Sequence, residues 1–274
     1  MMYKENIVSE KGEHNMATYC PFADATEKQK LAFSSACRAI LMGRGNDDGI
    51  GTLGEKTLHA TIKQYLSPNP LTHEIKIDRY VADIKEGDHI FEIQTGSFER
   101  LKGKLACYLQ SHDVTVVYPI LTKKWVVYID KQTGKLSEKT KSHRPGNVYQ
   151  IFDELYHILP FLSHPRFSLR LLLLEGTDYR IKESGRRGRV RTHGFEHMPS
   201  ALLSDTTLSS LSDYLAFLPP PLPSPFLSSD LKTHANIPLS TAQSLLWQLH
   251  KLGIVLRVGK AGNAYQYQLY EPNI

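Results

Sequence analysis

The sequence predicts a mixed α/β domain, with helices flanking a sheet, followed by a smaller C-terminal domain. Apolar residues with helical spacing alternate along the chain with short runs rich in isoleucine, valine and phenylalanine. A helix-like stretch, residues 97–112, separates two of these runs and is long enough to cross between parallel strands. After residue 180 the composition becomes polar and basic, which indicates a domain boundary.

Composition narrows the class of protein. A chain of 274 residues with 41% hydrophobic residues can form two ordinary domains with real cores. The net charge of +5 suits a polyanionic partner but is also common in proteins that have none. Three well-separated cysteines, Cys20, Cys37 and Cys107, indicate neither a disulfide framework nor a zinc site. With no signal-like or membrane-length apolar run, we expect a cytoplasmic protein without a membrane partner.

The predicted elements follow in order. Residues 1–20 are expected to be a flexible leader, and residues 21–180 the first domain. One helix is predicted over 26–44. A second helix is predicted to follow its N-cap Thr52 and to end at residue 66. Segments rich in β-branched and aromatic residues predict strands. These segments are 73–84, 89–95, 114–120 and 124–130.

A tight turn at Gly87-Asp88 sets the register of two of these strands. Glycine tolerates the positive φ of a type II′ turn, and such a turn places Glu86 opposite His89. Counting residue pairs away from the turn places Asp83 opposite Glu92, with their Cβ atoms roughly 5 Å apart. Gln94 joins the same side, because side chains alternate along a strand. The prediction is one polar face, with the apolar residues on the other.

Two close carboxylates repel each other unless they share a proton or hold a cation. Ligation by oxygen atoms alone favours Mg²⁺ or Mn²⁺ over zinc. The alternative is a surface hairpin whose polar face is solvated. The apolar flanks, and the helix and apolar strand that follow, favour a central position in the sheet instead.

Asp83, followed after eight residues by Glu92-Ile93-Gln94, resembles the signature of the PD-(D/E)XK nuclease superfamily, which has the restriction-endonuclease-like fold. The family core of helix, three strands, helix and strand matches residues 52–120 in order. The resemblance implies that Asp83, Glu92 and the carbonyl of Ile93 are metal ligands. Glu55 would correspond to a further acidic ligand, or it is simply an exposed glutamate in the first turn of a helix.

Gln94 departs from the family pattern, because it stands where the usual lysine would be. Glutamine can orient water by hydrogen bonding but supplies no positive charge, and some members of the superfamily tolerate such a replacement. Lys102 and Lys104, on the following helix, could supply a cation from nearby, or form a solvated helix face.

Residues 201–274 are predicted to form the second domain, whose last 45 residues resemble a winged helix-turn-helix module. The candidate recognition helix covers 239–253, with Leu245, Leu246, Leu249 and Leu252 facing its core. The outward residues would be Ser240, Thr241, Gln243, Gln248 and Lys251, of which Ser240, Thr241 and Gln243 near the N-terminus could reach base edges. Arg257, Lys260 and Asn263 could contact phosphates. The alternative is a protein-interaction module.

A basic linker is predicted over 181–200. It includes four arginines, Arg186, Arg187, Arg189 and Arg191, which could follow a phosphate backbone or merely keep the linker soluble.

Together these features predict a metal-dependent nuclease, with DNA the expected substrate, in defence, repair or mobile-element processing. Relatives by this resemblance often cut as homodimers, although the sequence identifies no dimer interface. Two alternatives remain: a DNA-binding regulator whose nuclease-like domain has lost catalysis, and a nuclease directed at RNA.

Overall fold

The computed structural model describes residues 18–43, 57–184 and 190–270. The predicted N-cap Thr52 and the candidate ligand Glu55 lie outside the described residues, as do Arg186, Arg187 and Arg189. The predicted α/β class is confirmed at the level of its architecture: in the described residues, a mixed sheet of seven strands is flanked by helices.

The sheet has the order β1-β2-β3-β4-β6-β7, with the short β5 beside β4. Its strands are β1 His73–Ile77, β2 Tyr80–Glu86, β3 His89–Ile93, β4 Asp113–Asp130, β5 Thr140–Lys141, β6 Phe167–Ser184 and β7 Val190–Leu208. The helices beside it are α1 Glu27–Gly43, α2 Thr57–Leu66, α3 Leu101–Tyr108 and α4 Ile151–Ile158.

The predicted hairpin is confirmed. Glu86 pairs with His89, and Gly87 has a φ of +57°, the conformation for which glycine was expected. The crossover is confirmed as well, because β3 and β4 are parallel and α3 lies between them along the chain. The two strands predicted over 114–130 are instead one continuous strand, with a register shift between Leu121 and Lys123.

The prediction of a basic linker is wrong for the residues that the structure describes. Residues 181–184 end β6 and residues 190–200 begin β7, and the two strands pair antiparallel, with Glu183 opposite Arg191. β7 then continues through the sheet to Leu208, beyond the predicted boundary. In the described part of this stretch, polar composition belongs to two paired strands of the sheet and not to a passage between domains.

The C-terminal segment forms α5 Ser228–Ala235, α6 Leu239–Lys251 and a hairpin of β8 Val255–Ala261 and β9 Ala264–Leu269. Leu245, Leu246 and Leu249 are buried, as predicted. The expectation that Gln248 faces outward is wrong. Its side chain is 0% exposed, and its amide donates to the carbonyl of Phe152 on α4 at 2.6 Å.

Among the described residues, two apolar clusters cover the sheet. The larger includes residues of α3, α4, α5 and α6, and the smaller includes residues of α1 and α2. The C-terminal helices α5 and α6 therefore pack on the same core as the sheet. The physical reason is that one continuous apolar surface removes more area from water than two separate ones. Within the described ranges, no helix combines the length and the apolar character needed to cross a bilayer.

Candidate active site

The hairpin strands β2 and β3 part at the two carboxylates predicted as ligands. Their described pairing ends at Ile84 opposite Phe91. Beyond this point the backbone N–H of Ile93 donates to Oδ2 of Asp83 at 2.7 Å, while Ile93 pairs with Val117 on the other side. A side chain thus replaces a backbone partner, and the gap between the strands holds Asp83 and Glu92.

Asp83 is anchored from two elements. Besides the amide of Ile93 it contacts His59 on α2, with Nε2 of His59 3.4 Å from Oδ2. Burial opposes the ionisation of Asp83. The pKa of Asp83 is nevertheless held below its ordinary value by hydrogen bonds from His59 and the Ile93 amide and by the charge of Lys104. The carboxylate is therefore kept ionised and fixed in orientation.

Glu92 is 0% exposed, and the described residues satisfy one of its two oxygens. Oε2 accepts from the Lys104 ammonium at 2.8 Å, whereas Oε1 is buried and has no hydrogen-bond partner among the described residues. Burial and the charge of Asp83 raise the pKa of Glu92 to about 7, although Lys104 opposes this rise. An unpaired buried carboxylate oxygen is costly, so this atom calls for a cationic or donor partner.

Lys104 is the member of the α3 lysine pair that reaches this site. Its ammonium also donates to the carbonyl of Val81 at 2.7 Å, which fixes it between β2 and β3. Lys102 is exposed on the same helix. Gln94 lies just past β3 and is partly exposed, and its backbone N–H donates to Val117.

The expected single polar face is wrong, because both sides of the hairpin are packed. Ile90, on the Glu92 side, lies in the larger core with α3, while Ile84 and Ile93 lie in the smaller core. Ala82 packs in the larger core and not beside Ile84, which shows that regular alternation fails around Asp83.

A divalent ion, implied by the family resemblance, fits these residues in part. Across the described ranges, no group of three or more His, Cys, Asp or Glu side chains is arranged to hold a metal ion. Mg²⁺, however, is commonly bound by one or two carboxylates together with water and substrate phosphates. Oε1 of Glu92, which is buried near Asp83 and has no partner in the part of the chain that the structure describes, is the atom that such an ion would satisfy.

Sequence reasoning missed His59. It lies 24 residues before Asp83 in the chain, on a helix whose apolar pattern gives no hint of a contact with β2. Its neighbours Leu58 and Ile62 are buried in the smaller core, and this packing brings the imidazole to the carboxylate. No signal in the sequence could have found it.

The predicted nucleic-acid residues fall into separate places. Ser240 and Gln243 are exposed near the start of α6, and Thr241 is partly exposed. Arg257 is less available than expected, because its guanidinium stacks 3.9 Å from the ring centre of Tyr265.

Lys260 lies over the same ring at 4.9 Å. Arg191 is exposed on β7, at the end of the long β6–β7 hairpin.

The chain belongs to the family described as "Domain of unknown function (DUF8091)", whose model matches residues 56–209. This region contains His59, Asp83, Glu92 and Lys104 and ends one residue after β7. The chain is also 31% identical over 143 residues to an "Uncharacterized protein" of Treponema pallidum (strain Nichols). That match covers 52% of this chain and 56% of the relative, so the chain spans little more than half of the relative's length. No solved structure matches.

Proposed function

We propose that this protein is a metal-dependent nuclease that hydrolyses phosphodiester bonds, with DNA as its substrate. The observation that carries the proposal is Oε1 of Glu92, a buried carboxylate oxygen that no described residue satisfies, next to Asp83 where β2 and β3 part. The observed order α2, β1, β2, β3, α3, β4 supports it, because it repeats the order of the restriction-endonuclease-like core.

In this proposal Asp83, Glu92 and the carbonyl of Ile93 hold Mg²⁺ or Mn²⁺. The ion, when bound, would lower the pKa of a water and offset charge on the phosphate. His59 and the amide of Ile93 keep Asp83 ionised and oriented. Lys104, fixed by Val81 and Glu92, provides the positive charge that Gln94 lacks, and Gln94 orients water by hydrogen bonding.

The C-terminal elements are proposed to be a winged helix that engages the nucleic acid. Helix, turn, helix and two-stranded hairpin follow in the order that such a module requires, and Asn236 adopts a left-handed conformation in the turn. Ser240, Thr241 and Gln243 lie at the start of α6, where a recognition helix contacts base edges.

One observation favours a second candidate, a DNA-binding regulator without catalysis. The ammonium of Lys104 lies 2.8 Å from Glu92 and already compensates much of the charge that a metal would neutralise. In that case Asp83, Glu92 and Lys104 would form a structural ion cluster, and Gln94 would mark the loss of activity.

Cleavage assays with purified protein separate these candidates. Labelled double-stranded DNA, single-stranded DNA and RNA are incubated with Mg²⁺ or Mn²⁺, with Asp83→Ala and Glu92→Ala beside the wild type. We expect DNA cleavage that falls at least about 1,000-fold in both variants, because each removes a ligand. Glu86→Ala and Glu99→Ala, which remove exposed carboxylates nearby, serve as controls.

Wild-type protein that binds DNA but cuts none of the substrates would support the regulator. Cleavage of RNA alone would move the proposal to an RNA-directed nuclease. Cleavage that persists in both folded variants would contradict the assignment of this site.

A further inference from the structure

A cavity of about 760 Å³ lies away from the carboxylate site, between the loop that contains β5 and the turn that joins α5 to α6. Lys141, His143 and Arg144 line one side, and Asn147 and Asn236 also contribute amides. No aspartate or glutamate among the described residues lines it. The cavity therefore combines positive charge with hydrogen-bond donors.

The loop that carries these cations is held in place by the sheet. The N–H of Gly146 donates to the carbonyl of Leu121 at 2.9 Å, and that of Ser142 donates to Lys124 at 2.8 Å. A Cβ at Gly146 would come 2.8 Å from the side chain of Ile120, so this close approach requires glycine. The cations are thus presented from a fixed backbone, which lowers the entropic cost of binding a ligand.

The charge extends beyond the cavity. Residues 131–145 include five lysine or arginine residues and a single acidic residue, Glu138. Lys135 and Lys139 are exposed on this loop. Such a surface complements an extended polyanion better than it does an isolated anion.

The position of the cavity links the two parts of the proposed function. Asn236, in its lining, precedes the exposed Ser240 of α6 by four residues, or at most about 15 Å of chain. Thr122, also in its lining, lies six residues along β4 from Val116, the partner of Glu92. Six residues of strand span roughly 20 Å, about the length of six base pairs.

We propose that this cavity binds backbone phosphates of the nucleic acid, at a point between Glu92 and the start of α6. Lys141 and Arg144 each contact one phosphate, and Asn147 contributes a neutral donor. This inference rests on the proposed function, because it assumes that nucleic acid is the ligand of the chain.

The test measures the salt dependence of binding. A fluorescent duplex of about 20 base pairs is titrated with the Asp83→Ala protein in chelator, so that no cleavage occurs, over a range of KCl concentrations. Lys141→Gln/Arg144→Gln should lower the slope of log affinity against log salt by about two, since each phosphate contact contributes about 0.9. Affinity at low salt should fall at least about 10-fold.

Two further variants isolate the cause. Lys28→Gln/Lys76→Gln removes the same net charge from exposed positions outside the cavity and should leave the slope nearly unchanged. Lys141→Arg/Arg144→Lys keeps both charges and should retain the wild-type slope. Calorimetry with inorganic phosphate, on wild type and double variant, tests a small-anion site.

The outcomes are distinguishable. If the duplex binds and Lys141→Gln/Arg144→Gln behaves like the Lys28/Lys76 control, this inference is overturned while the nuclease proposal stands. Loss of phosphate binding with an unchanged DNA slope also overturns it. If no nucleic acid binds at all, both proposals fail. A reduced slope in a protein that cuts nothing keeps the cavity and removes the catalytic assignment.

Discussion

Asp205 and Glu92 are both buried carboxylates in one sheet, but their surroundings differ. The side chain of Asp205 is 2% exposed, and both of its oxygens are satisfied. Arg170 donates to them at 2.7 and 2.6 Å, and the hydroxyl of Tyr65 donates to Oδ2 at 2.6 Å. One oxygen of Glu92 accepts from the Lys104 ammonium, and the other has no hydrogen-bond partner within the described ranges.

We interpret the difference as one between a structural carboxylate and a candidate functional one. A bidentate arginine compensates a buried carboxylate fully. Both oxygens of Asp205 already accept hydrogen bonds, so neither is left to bind a ligand. Glu92 keeps an unsatisfied atom, and a protein retains such a group at a cost in stability. Perturbed buried carboxylates of this second kind are candidates for function.

The largest effect on stability is expected at the satisfied carboxylate. Asp205→Ala should lower the free energy of unfolding by about 3 kcal/mol, because it leaves Arg170 partly buried and unpaired. Urea denaturation measures this loss. The double variant Arg170→Met/Asp205→Ala should lose less than the sum of the two single changes, since no lone charge remains. If Asp205→Ala lowers the free energy of unfolding by less than about 1 kcal/mol, Asp205 is not a stabilising group, and the contrast drawn with Glu92 is wrong.

Lys104 is expected to matter for catalysis more than for folding. If the chain is the proposed nuclease, Lys104→Met should reduce cleavage by about 100-fold, since it removes the positive charge that contacts Glu92 in the proposed site. The same change should tighten Mn²⁺ binding, because the ammonium and the ion compete for Glu92. Lys102→Met, an exposed lysine on the same helix, is the matched control. Equal effects of the two variants would show that Lys104 has no specific role.

The smallest effect concerns pH. Because the pKa of Glu92 is raised from 4.5 to about 7, the folded protein keeps a proton that the unfolded chain releases between these values. The contribution of this group to stability is therefore present below pH 4.5 and is lost as pH rises through 7, by about 1–3 kcal/mol. In the presence of chelator, the free energy of unfolding of Glu92→Gln minus that of wild type should be larger at pH 8 than at pH 4.5 by this amount.

Urea denaturation at the two pH values measures the gain, with Glu86→Gln as the exposed control. Parallel pH profiles for wild type and Glu92→Gln would contradict the unpaired state of Glu92.

Local signals predicted the frame of the site well. Gly87 set the hairpin register because a two-residue turn leaves no freedom in strand pairing. The parallel crossover followed from the length of the helical stretch between two apolar strands. Both are properties of neighbouring residues, and the order of elements follows from them.

Contacts between distant segments were not predictable in this way. The parting of β2 from β3, the contact of His59 with Asp83 and the burial of Gln248 all depend on packing between elements. The described residues of the predicted linker, 181–184 and 190–200, are strands for a similar reason: pairing of β6 with β7 supplies their hydrogen bonds, whatever their polarity.

The buried amide of Gln248 has one more consequence. It ties α6 to the carbonyl of Phe152 on α4, and α4 packs in the core with α3, the helix of Lys104. A duplex bound by α6 would then reach the carboxylates at a fixed distance from the α6 contact. Product ends should gather at one distance from the bound sequence, whereas a tethered domain would scatter them.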